Sequence, residues 1–176
     1  MVTLKGELIY LRALEPTDLE FIYAIENDEK VWEVSSTQTP YSRFLIKQYL
    51  ENSHQDIYEA KQLRLVICTY DDAILGLIDL YNFNPTHARV GVGILIAETA
   101  NRGKGYGSEA LQLVIQYVFT YLHVHQLYAN IAEKNSRSLK LFEANGFKKV
   151  GIKKDWNRDK DGFQNELLYQ LIKVCI

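Results

Sequence analysis

A glycine-rich turn joins an apolar strand to an amphipathic helix near the middle of this 176-residue chain. The turn reads Arg102-Gly103-Lys104-Gly105-Tyr106-Gly107-Ser108. The run before it, 90–97, is typical of a buried strand, and the run after it carries apolar residues at helical spacing. Such a turn presents free backbone N–H groups to an anion at the positive end of the helix dipole. We therefore expect the loop to bind a phosphorylated cofactor.

The composition restricts the class of protein. Apolar residues make up 47% of the chain and charged residues 24%, which are ordinary globular proportions. The net charge is -2 and no long basic run occurs, so nucleic acid is not expected as a partner. No apolar run approaches membrane-spanning length, so no membrane partner is expected. Cys68 and Cys175 lie in apolar stretches, which favours reduced, buried thiols in a cytoplasmic protein, and the scattered histidines indicate no metal site.

The apolar pattern predicts one α+β domain over residues 1–176. Strands are predicted at 8–14, 63–69, 73–83, 89–97, 126–132, 147–154 and 163–172. Helices are predicted from Pro16, from a cap at Ser42, after the glycine turn, and over 135–144, where Gly146 would adopt the left-handed conformation. The stretch 31–41 is interpreted as irregular. In this order antiparallel strands surround a single strand–helix–strand crossover.

Side-chain periodicity also predicts which faces are buried. In the helix that Ser42 begins, the inward residues are expected to be Leu45, Ile46, Tyr49 and Leu50. In the helix after the glycine turn they are expected to be Ala110, Leu111, Val114, Ile115, Val118 and Phe119. A basic cluster, interpreted as the solvated side of a strand, consists of Lys148, Lys149, Lys153 and Lys154.

Several kinds of site could use this loop. A Walker-type loop requires Ser or Thr after the lysine, but Gly105 follows Lys104. A dinucleotide fingerprint is matched by Gly105, Gly107 and Ala110, but it needs further parallel β-α units that the predicted order does not contain. A simple tight turn needs one or two glycines and provides no role for Arg102 and Lys104.

Three segments resemble the GNAT superfamily of N-acetyltransferases. The loop segment Arg102-x-x-Gly105-x-Gly107 is similar to that family's Arg/Gln-x-x-Gly-x-Gly/Ala pattern. The second and third segments are Asn135-x-x-Ser138-x-x-Leu141-Phe142-Glu143-x-x-Gly146-Phe147 and the opening Leu11-Arg12-Ala13-Leu14. The element order also agrees, and the most similar subgroup contains the ribosomal-protein and spermidine N-acetyltransferases. The resemblance implies a GNAT fold, a mixed, mostly antiparallel twisted sheet with a splayed central strand pair and flanking helices.

The resemblance further implies acetyl-CoA as acetyl donor and a primary amine as acceptor, either a protein N-terminus or a small amine. A homodimer is a possible assembly. The cofactor-binding residues would be Ile94, Leu95, Ile96, Arg102, Gly103, Lys104, Gly105, Tyr106, Gly107, Ser108, Asn135, Ser138 and Phe142. The loop amides would hold the pyrophosphate, with the Ser108 hydroxyl free to help. The strand 94–96 would accompany the pantetheine arm, and an N–H near Ile94 or Leu95 could polarise the thioester carbonyl.

The usual catalytic groups of the family are replaced in this chain. Gly91 stands where many relatives have a glutamate base, and Phe142 stands where a tyrosine acid is common. The remaining candidates are Asp79, Tyr81 and Glu33 on the amine side, and Tyr128 or water on the thiolate side. The replacements leave open a non-catalytic acyl-CoA-binding module, and a nucleotide-dependent oxidoreductase is a weaker alternative. The segment 35–40 contains no acidic residue, which disfavours a polyamine acceptor.

Overall fold

Seven strands pair side by side in one mixed sheet in the order β1-β2-β3-β4-β5-β7-β6. The strands are β1 (Ile9–Ala13), β2 (Leu63–Thr69), β3 (Ile74–Asn84), β4 (Arg89–Ile96), β5 (Gln126–Ala132), β6 (Lys148–Asp159) and β7 (Gly162–Ile172). The helices are α1 (Leu19–Glu26), α2 (Glu29–Ser35), α3 (Arg43–Glu51), α4 (Ile57–Ala60), α5 (Tyr106–Thr120) and α6 (Ser136–Ala144). The structure, a computed structural model, describes residues 4–35 and 37–174. It confirms the predicted α+β class and the predicted succession of seven strands along the described chain.

The parallel pair of the sheet is open along most of its length. β4 and β5 are parallel and joined by α5, and their pairing covers Arg89–Gly91 opposite Gln126–Tyr128. Beyond that point β4 continues beside β3 as far as Ile96, whereas β5 continues beside β7 as far as Ala132. The two strands therefore diverge, as the resemblance implied, and the backbone of 92–96 lines the resulting opening.

Strand alternation sends apolar side chains to both faces of the sheet, so the chain has two cores. The larger core packs α5 and α6 against one face and includes Leu65, Ile78, Val92, Val114, Val118 and Leu127. The smaller core packs α1 and α3 against the other face and includes Ile22, Ile46, Leu50, Val66 and Leu77. On this second face β4, β5 and β7 carry Gly91, Gly93, Tyr128, Asn130 and Glu166, which the smaller core does not include. A polar surface thus lies beside the opening of the sheet.

Helix caps follow the predictions in most places. The Ser42 hydroxyl accepts the N–H of Leu45 at the start of α3, and Gly146 has φ +88° after α6. Leu45 is 47% exposed, so the prediction that it faces inward is wrong. The reason is that Ile46 and Leu50, four residues apart, take the core face.

The segment between α1 and α3 is more helical than the sequence indicated. The interpretation of 31–41 as irregular is wrong for 31–35, because α2 occupies Glu29–Ser35, whereas 37–41 contains neither helix nor strand, as expected. Asp28 begins this helix by accepting the N–H of Lys30 on its side chain and that of Trp32 on its carbonyl. The short helix α4, which the sequence pattern did not predict, is capped by Asp56.

Cys68 is a free, buried thiol, as expected, whereas Cys175 lies outside the described residues. Across the described part of the chain, we find no helix of the length and apolarity needed to cross a membrane.

The carboxylate of Asp18 ties the first strand to the first helix. Arg12 donates to both of its oxygens at 2.8 Å, and the N–H of Glu15 donates to one of them at 2.8 Å. Burial alone would raise the pKa of Asp18, but the hydrogen bonds from Arg12 and Glu15 outweigh it and hold that pKa below its ordinary value. The ionised carboxylate therefore stabilises the fold above about pH 4, and this contribution is lost as the pH falls through the lowered pKa.

We expect Asp18→Asn to lower the free energy of unfolding by about 1–3 kcal/mol at pH 7, because a buried charged partner of Arg12 is lost. The difference from the unsubstituted protein should shrink in denaturant titrations below about pH 4. Glu20→Gln is the control, because its ion pair with Arg43 is exposed and its removal should cost less than about 0.5 kcal/mol. Equal stability of Asp18→Asn and the unsubstituted protein at pH 7 would contradict this assignment.

Candidate active site

The glycine turn forms the N-terminus of α5, the longest helix described. Gly103 has φ +77° and Gly105 has φ +89°, both in the left-handed region that favours glycine. A Cβ on Gly105 would lie 3.5 Å from Leu8 Cδ1, which is ordinary contact, so the requirement for glycine is conformational. The following residues, Tyr106 and Gly107, begin the helix, so their N–H groups have no partner within it. This terminus therefore presents the free N–H groups that the predicted anion site requires.

Two loop side chains are already engaged. The Nε of Arg102 donates to the carbonyl of Ile96 at 3.1 Å, which fixes the turn to the end of β4. The Ser108 hydroxyl exchanges hydrogen bonds with the Asn145 side chain at 3.1 and 3.3 Å. The expectation that this hydroxyl is free to assist a phosphate is thus wrong, because the end of α6 packs close enough to bind it. Lys104 remains exposed.

Glu109 holds the segment before β1 against the first turn of α5, a role that sequence reasoning missed. Its carboxylate accepts the backbone N–H groups of Glu7, Leu8 and Ile9 at 2.7, 2.9 and 2.9 Å. A Cβ on Gly6 would approach Glu109 Cδ to 2.4 Å, so the close approach requires glycine there. Glu109, one turn into α5, therefore fixes the segment before β1 to the start of this helix.

The divergence of β4 and β5 opens a cleft of about 240 Å³. Ile94 and Leu95 line one wall, and Asn135, Ser138 and Phe142 line another, so the structure brings these predicted cofactor residues together. Asn135 also caps α6, since its side chain accepts the N–H of Ser138 at 3.1 Å. Phe142 is 2% exposed and packs edge-on against Phe147, with ring centroids 4.9 Å apart.

The opposite end of the cleft is charged. Arg64 Nε donates to Asp79 at 2.7 Å, its Nη2 donates to the second Asp79 oxygen at 3.2 Å, and its Nη1 donates to Glu26 at 2.6 Å. Burial alone would lower the pKa of Arg64, but the two carboxylates raise that pKa by more than burial lowers it. The guanidinium therefore stays charged. Asp79, a predicted candidate base, lines the cleft as expected but is held by this ion pair. The side chain of Glu33, another candidate, lies outside the described part of the structure.

The ring of Tyr81 covers the point where β4 and β5 separate. Its hydroxyl accepts a hydrogen bond from Asn130 at 3.3 Å, and its ring meets that of Tyr128 edge-on at 5.8 Å. A Cβ on Gly91 would lie 2.3 Å from Tyr81 Cε2, so the structure leaves no room for a glutamate at this position. Burial raises the pKa of Tyr81, partly offset by the Asn130 hydrogen bond, so the phenol is protonated at neutral pH.

We expect Gly91→Ala to destabilise the protein by about 1–3 kcal/mol, because the new methyl group must displace the Tyr81 ring. Thermal unfolding should show a midpoint lower by about 2–4 °C per kcal/mol for a chain of this size. The matched control is Gly93→Ala on the same strand, where the added Cβ would meet Tyr81 at 3.9 Å, an ordinary contact. Equal melting temperatures for the two variants would show that the Tyr81 ring does not occupy this position.

A second ion pair, on β6 and β7, completes the polar surface. Lys153 Nζ donates to Asn130 at 2.7 Å and to Glu166 at 2.8 Å, and Asn157 donates to the other Glu166 oxygen at 3.1 Å. The interpretation of Lys153 as part of a solvated cluster is therefore wrong, because its ammonium turns toward this surface. Sequence reasoning missed Arg64, Asn130 and Glu166. A charged residue inside an otherwise apolar strand is the signal that would have identified Arg64. Asn130 and Glu166 lie in strands with other polar residues, so the pattern does not single them out.

Comparison with known proteins agrees with this geometry. The model of the acetyltransferase (GNAT) domain family matches residues 9–148. A spermidine N(1)-acetyltransferase of Vibrio cholerae is 30% identical over 141 residues, which cover 80% of this chain and 79% of that protein. A spermidine N(1)-acetyltransferase of Escherichia coli strain K12 is 28% identical over 169 residues, or 96% and 85% of the two chains.

A solved structure shows the same fold. The crystal structure of spermidine N-acetyltransferase from Vibrio cholerae in complex with CoA and spermine superposes with a TM-score of 0.85 at 24% identity. The match covers 95% of this chain and 96% of that one. Together with the family match over most of the chain, the loop and the splayed strands lead to one conclusion. The chain belongs to the acetyltransferase (GNAT) domain family and is an acetyl-CoA-dependent N-acetyltransferase.

Proposed function

We propose that this enzyme transfers the acetyl group directly from acetyl-CoA to the primary amine of a small molecule. The observation that carries the proposal is the cleft between β4 and β5, which has the predicted cofactor residues at one end and carboxylates at the other. Carboxylates beside the reacting centre favour a cationic acceptor. The similarity to spermidine N(1)-acetyltransferases of two bacteria also supports a small amine.

We assign the cofactor to the residues that the sequence indicated. The pyrophosphate binds the free N–H groups that begin α5, with Lys104 adding positive charge. The pantetheine arm lies beside 94–96, because this part of β4 has no partner strand on the side of β5. Asn135 and Ser138 contact the arm from α6, and an N–H near Leu95 polarises the thioester carbonyl.

The transfer itself forms one bond and breaks another. The neutral amine attacks the thioester carbon, the new C–N bond forms, the C–S bond breaks, and the amine proton passes to water. An amine of this kind has a pKa near about 10, so deprotonation precedes attack. The departing thiolate takes its proton from Tyr81, which is protonated at neutral pH and which water reprotonates. In this assignment Tyr81 acts as the general acid, because Phe142 has no proton to donate.

Two further properties follow from the same sequence reasoning. We infer that residues 1–176 form one domain, which the single seven-stranded sheet supports. The free, buried thiol of Cys68 supports a cytoplasmic location.

The test is release of free thiol from acetyl-CoA in the presence of aliphatic amines and, separately, of peptides with free N-termini. We expect release above background hydrolysis with small amines, and mass spectrometry should show the N-acetylated product. Release with peptides alone would assign the enzyme to protein N-termini instead. Binding of acetyl-CoA without release for any acceptor would favour a non-catalytic module.

A further inference from the structure

We infer that Arg64 is a specificity-determining residue that limits the charge of the acceptor to one or two amine nitrogens. This inference deepens the proposed function and rests on it. It concerns the acceptor end of the cleft, where Arg64, Asp79 and Glu166 all contribute to the lining. Most carboxylates there are neutralised by neighbouring cations, so the number of ammonium groups that the site can balance is small.

The charges at this end of the cleft leave one negative charge in excess. Among the described side chains, the carboxylates that line the cleft are those of Glu26, Asp79 and Glu166. The cations are Arg64, which lines the cleft, and Lys153, which is bonded to Glu166. The reacting nitrogen must be neutral to attack the thioester. One distal ammonium can therefore be balanced, whereas the extra ammonium groups of triamines and tetraamines cannot.

The geometry at Arg64 shows that the guanidinium binds both carboxylates at once. Both Asp79 oxygens accept from the guanidinium, and Glu26 accepts from its third nitrogen. The side chains of Arg64 and Glu26 are only 24% and 17% exposed, so water screens these charges weakly. An ammonium brought to Asp79 would also face the guanidinium at close range. Arg64 thus reduces the net charge of Glu26 and Asp79 from two negative charges to one, which lowers the number of ammonium groups that this pair can balance.

The ion pair of Lys153 and Glu166, on the other side of the cleft, also neutralises a carboxylate. Lys153 and Asn157 each donate to one oxygen of Glu166, whose side chain is 16% exposed. Changes at Arg64 do not affect the pair of Lys153 and Glu166, so the charge of this pair is the same in all the Arg64 variants. A change in the charge of the site can therefore be made at Arg64 alone and read out as a change in acceptor preference.

The experiment compares kcat/KM for n-butylamine, 1,4-diaminobutane, spermidine and spermine at saturating acetyl-CoA and low salt. We expect the unsubstituted enzyme to prefer the diamine over spermidine by about tenfold or more, because unbalanced ammonium groups repel Arg64. Arg64→Met frees Glu26 and Asp79 and should shift the spermidine-to-diamine ratio toward spermidine by about tenfold or more. Arg64→Lys keeps the charge and should keep the original preference.

Controls separate this effect from general damage. Arg43→Gln breaks the exposed pair with Glu20 and should leave the ratio unchanged. Because Arg64→Met leaves two buried carboxylates unpaired and could fail to fold, Asp79→Asn supplies an independent arm. Removing that negative charge should shift preference the other way, from the diamine toward n-butylamine.

Two outcomes would overturn the inference while the proposed function stands. One is transfer by the unsubstituted enzyme with spermidine preferred over the diamine. The other is an acceptor ratio that neither Arg64→Met nor Asp79→Asn changes. Absence of thiol release with every small amine would overturn the proposed function and this inference together.

Discussion

Replacing Gly105 by Val is expected to raise the KM for acetyl-CoA about tenfold to a hundredfold. Gly105 has φ +89° at the start of α5, a conformation that costs a residue with a side chain about 1–2 kcal/mol and a β-branched one more. Each 1.4 kcal/mol corresponds to a factor of about ten in affinity. If the turn relaxes to relieve this strain, the N–H groups of the following residues no longer converge on the pyrophosphate. Steady-state kinetics and calorimetric titration of acetyl-CoA measure the loss.

Gly107→Ala is the matched control for this prediction. Gly107 lies two residues further on, in the first turn of α5, and a Cβ there would meet Leu141, Ile94 and Ile96 at 3.6 to 3.9 Å. These are ordinary contacts, and Gly107 is not among the glycines with positive φ. Because alanine keeps the backbone N–H that Gly107 contributes to the turn, we expect the affinity of Gly107→Ala for acetyl-CoA to stay within about threefold of that of the unsubstituted enzyme. Unchanged affinity of Gly105→Val would mean that the loop is a turn without a binding role.

Removing the hydroxyl of Tyr81 is expected to lower kcat by about a hundredfold, the lower range for loss of a general acid. The thiolate of CoA is a tolerable leaving group, since thiols have pKa values near about 8.5, so activity should fall without disappearing. Tyr81→Phe keeps the ring over Gly91 and loses only the bond with Asn130. The KM for acetyl-CoA should not change, because in the proposed step the Tyr81 hydroxyl acts only on the departing thiolate and not on intact acetyl-CoA. Initial rates over a range of pH check this result.

Tyr128→Phe provides the comparison. Tyr128 packs edge-on against Tyr81 from the neighbouring strand. On sequence grounds Tyr128 or water was the candidate for the acid, whereas Tyr81 was a candidate on the amine side. Of these two tyrosines, it is Tyr81 whose hydroxyl is hydrogen-bonded to Asn130 where β4 and β5 separate. Tyr128→Phe should therefore retain most of kcat. A larger loss in Tyr128→Phe than in Tyr81→Phe would transfer the role of acid to Tyr128. Full activity of both variants would assign protonation of the thiolate to water.

The strand pattern of the sequence predicted most of the fold. The bounds of β2 and β5 agree with the predicted ranges, because both strands are apolar runs that end at clear turn signals. The helix α2 was missed because its start depends on Asp28 and on the Trp32 indole bonding the carbonyl of Glu26. Contacts of this kind depend on the packing of the end of α1 against the next segment. The periodicity of apolar residues in the sequence carries no information about that packing.

The glycine turn to which we assign the cofactor was predictable for a local reason. A phosphate binds to backbone N–H groups of one short turn, so glycines at 103 and 105 carry their own signal in consecutive residues. The acceptor end has no such signal, because Arg64 meets Glu26 from a different helix and Asp79 from a different strand. The roles of these residues depend on the register of the strands.

The sequence by itself therefore determined the fold class, the single crossover and the glycine turn that begins α5, because each is a property of local spacing or backbone conformation. Only the tertiary structure decided why Gly91 carries no side chain, since the Tyr81 ring occupies that space from the adjacent strand. Only the tertiary structure brought Arg64 and Lys153 to the carboxylates of the cleft. The net charge of an acceptor site is a sum over residues distant in sequence, and three-dimensional packing alone brings those residues together.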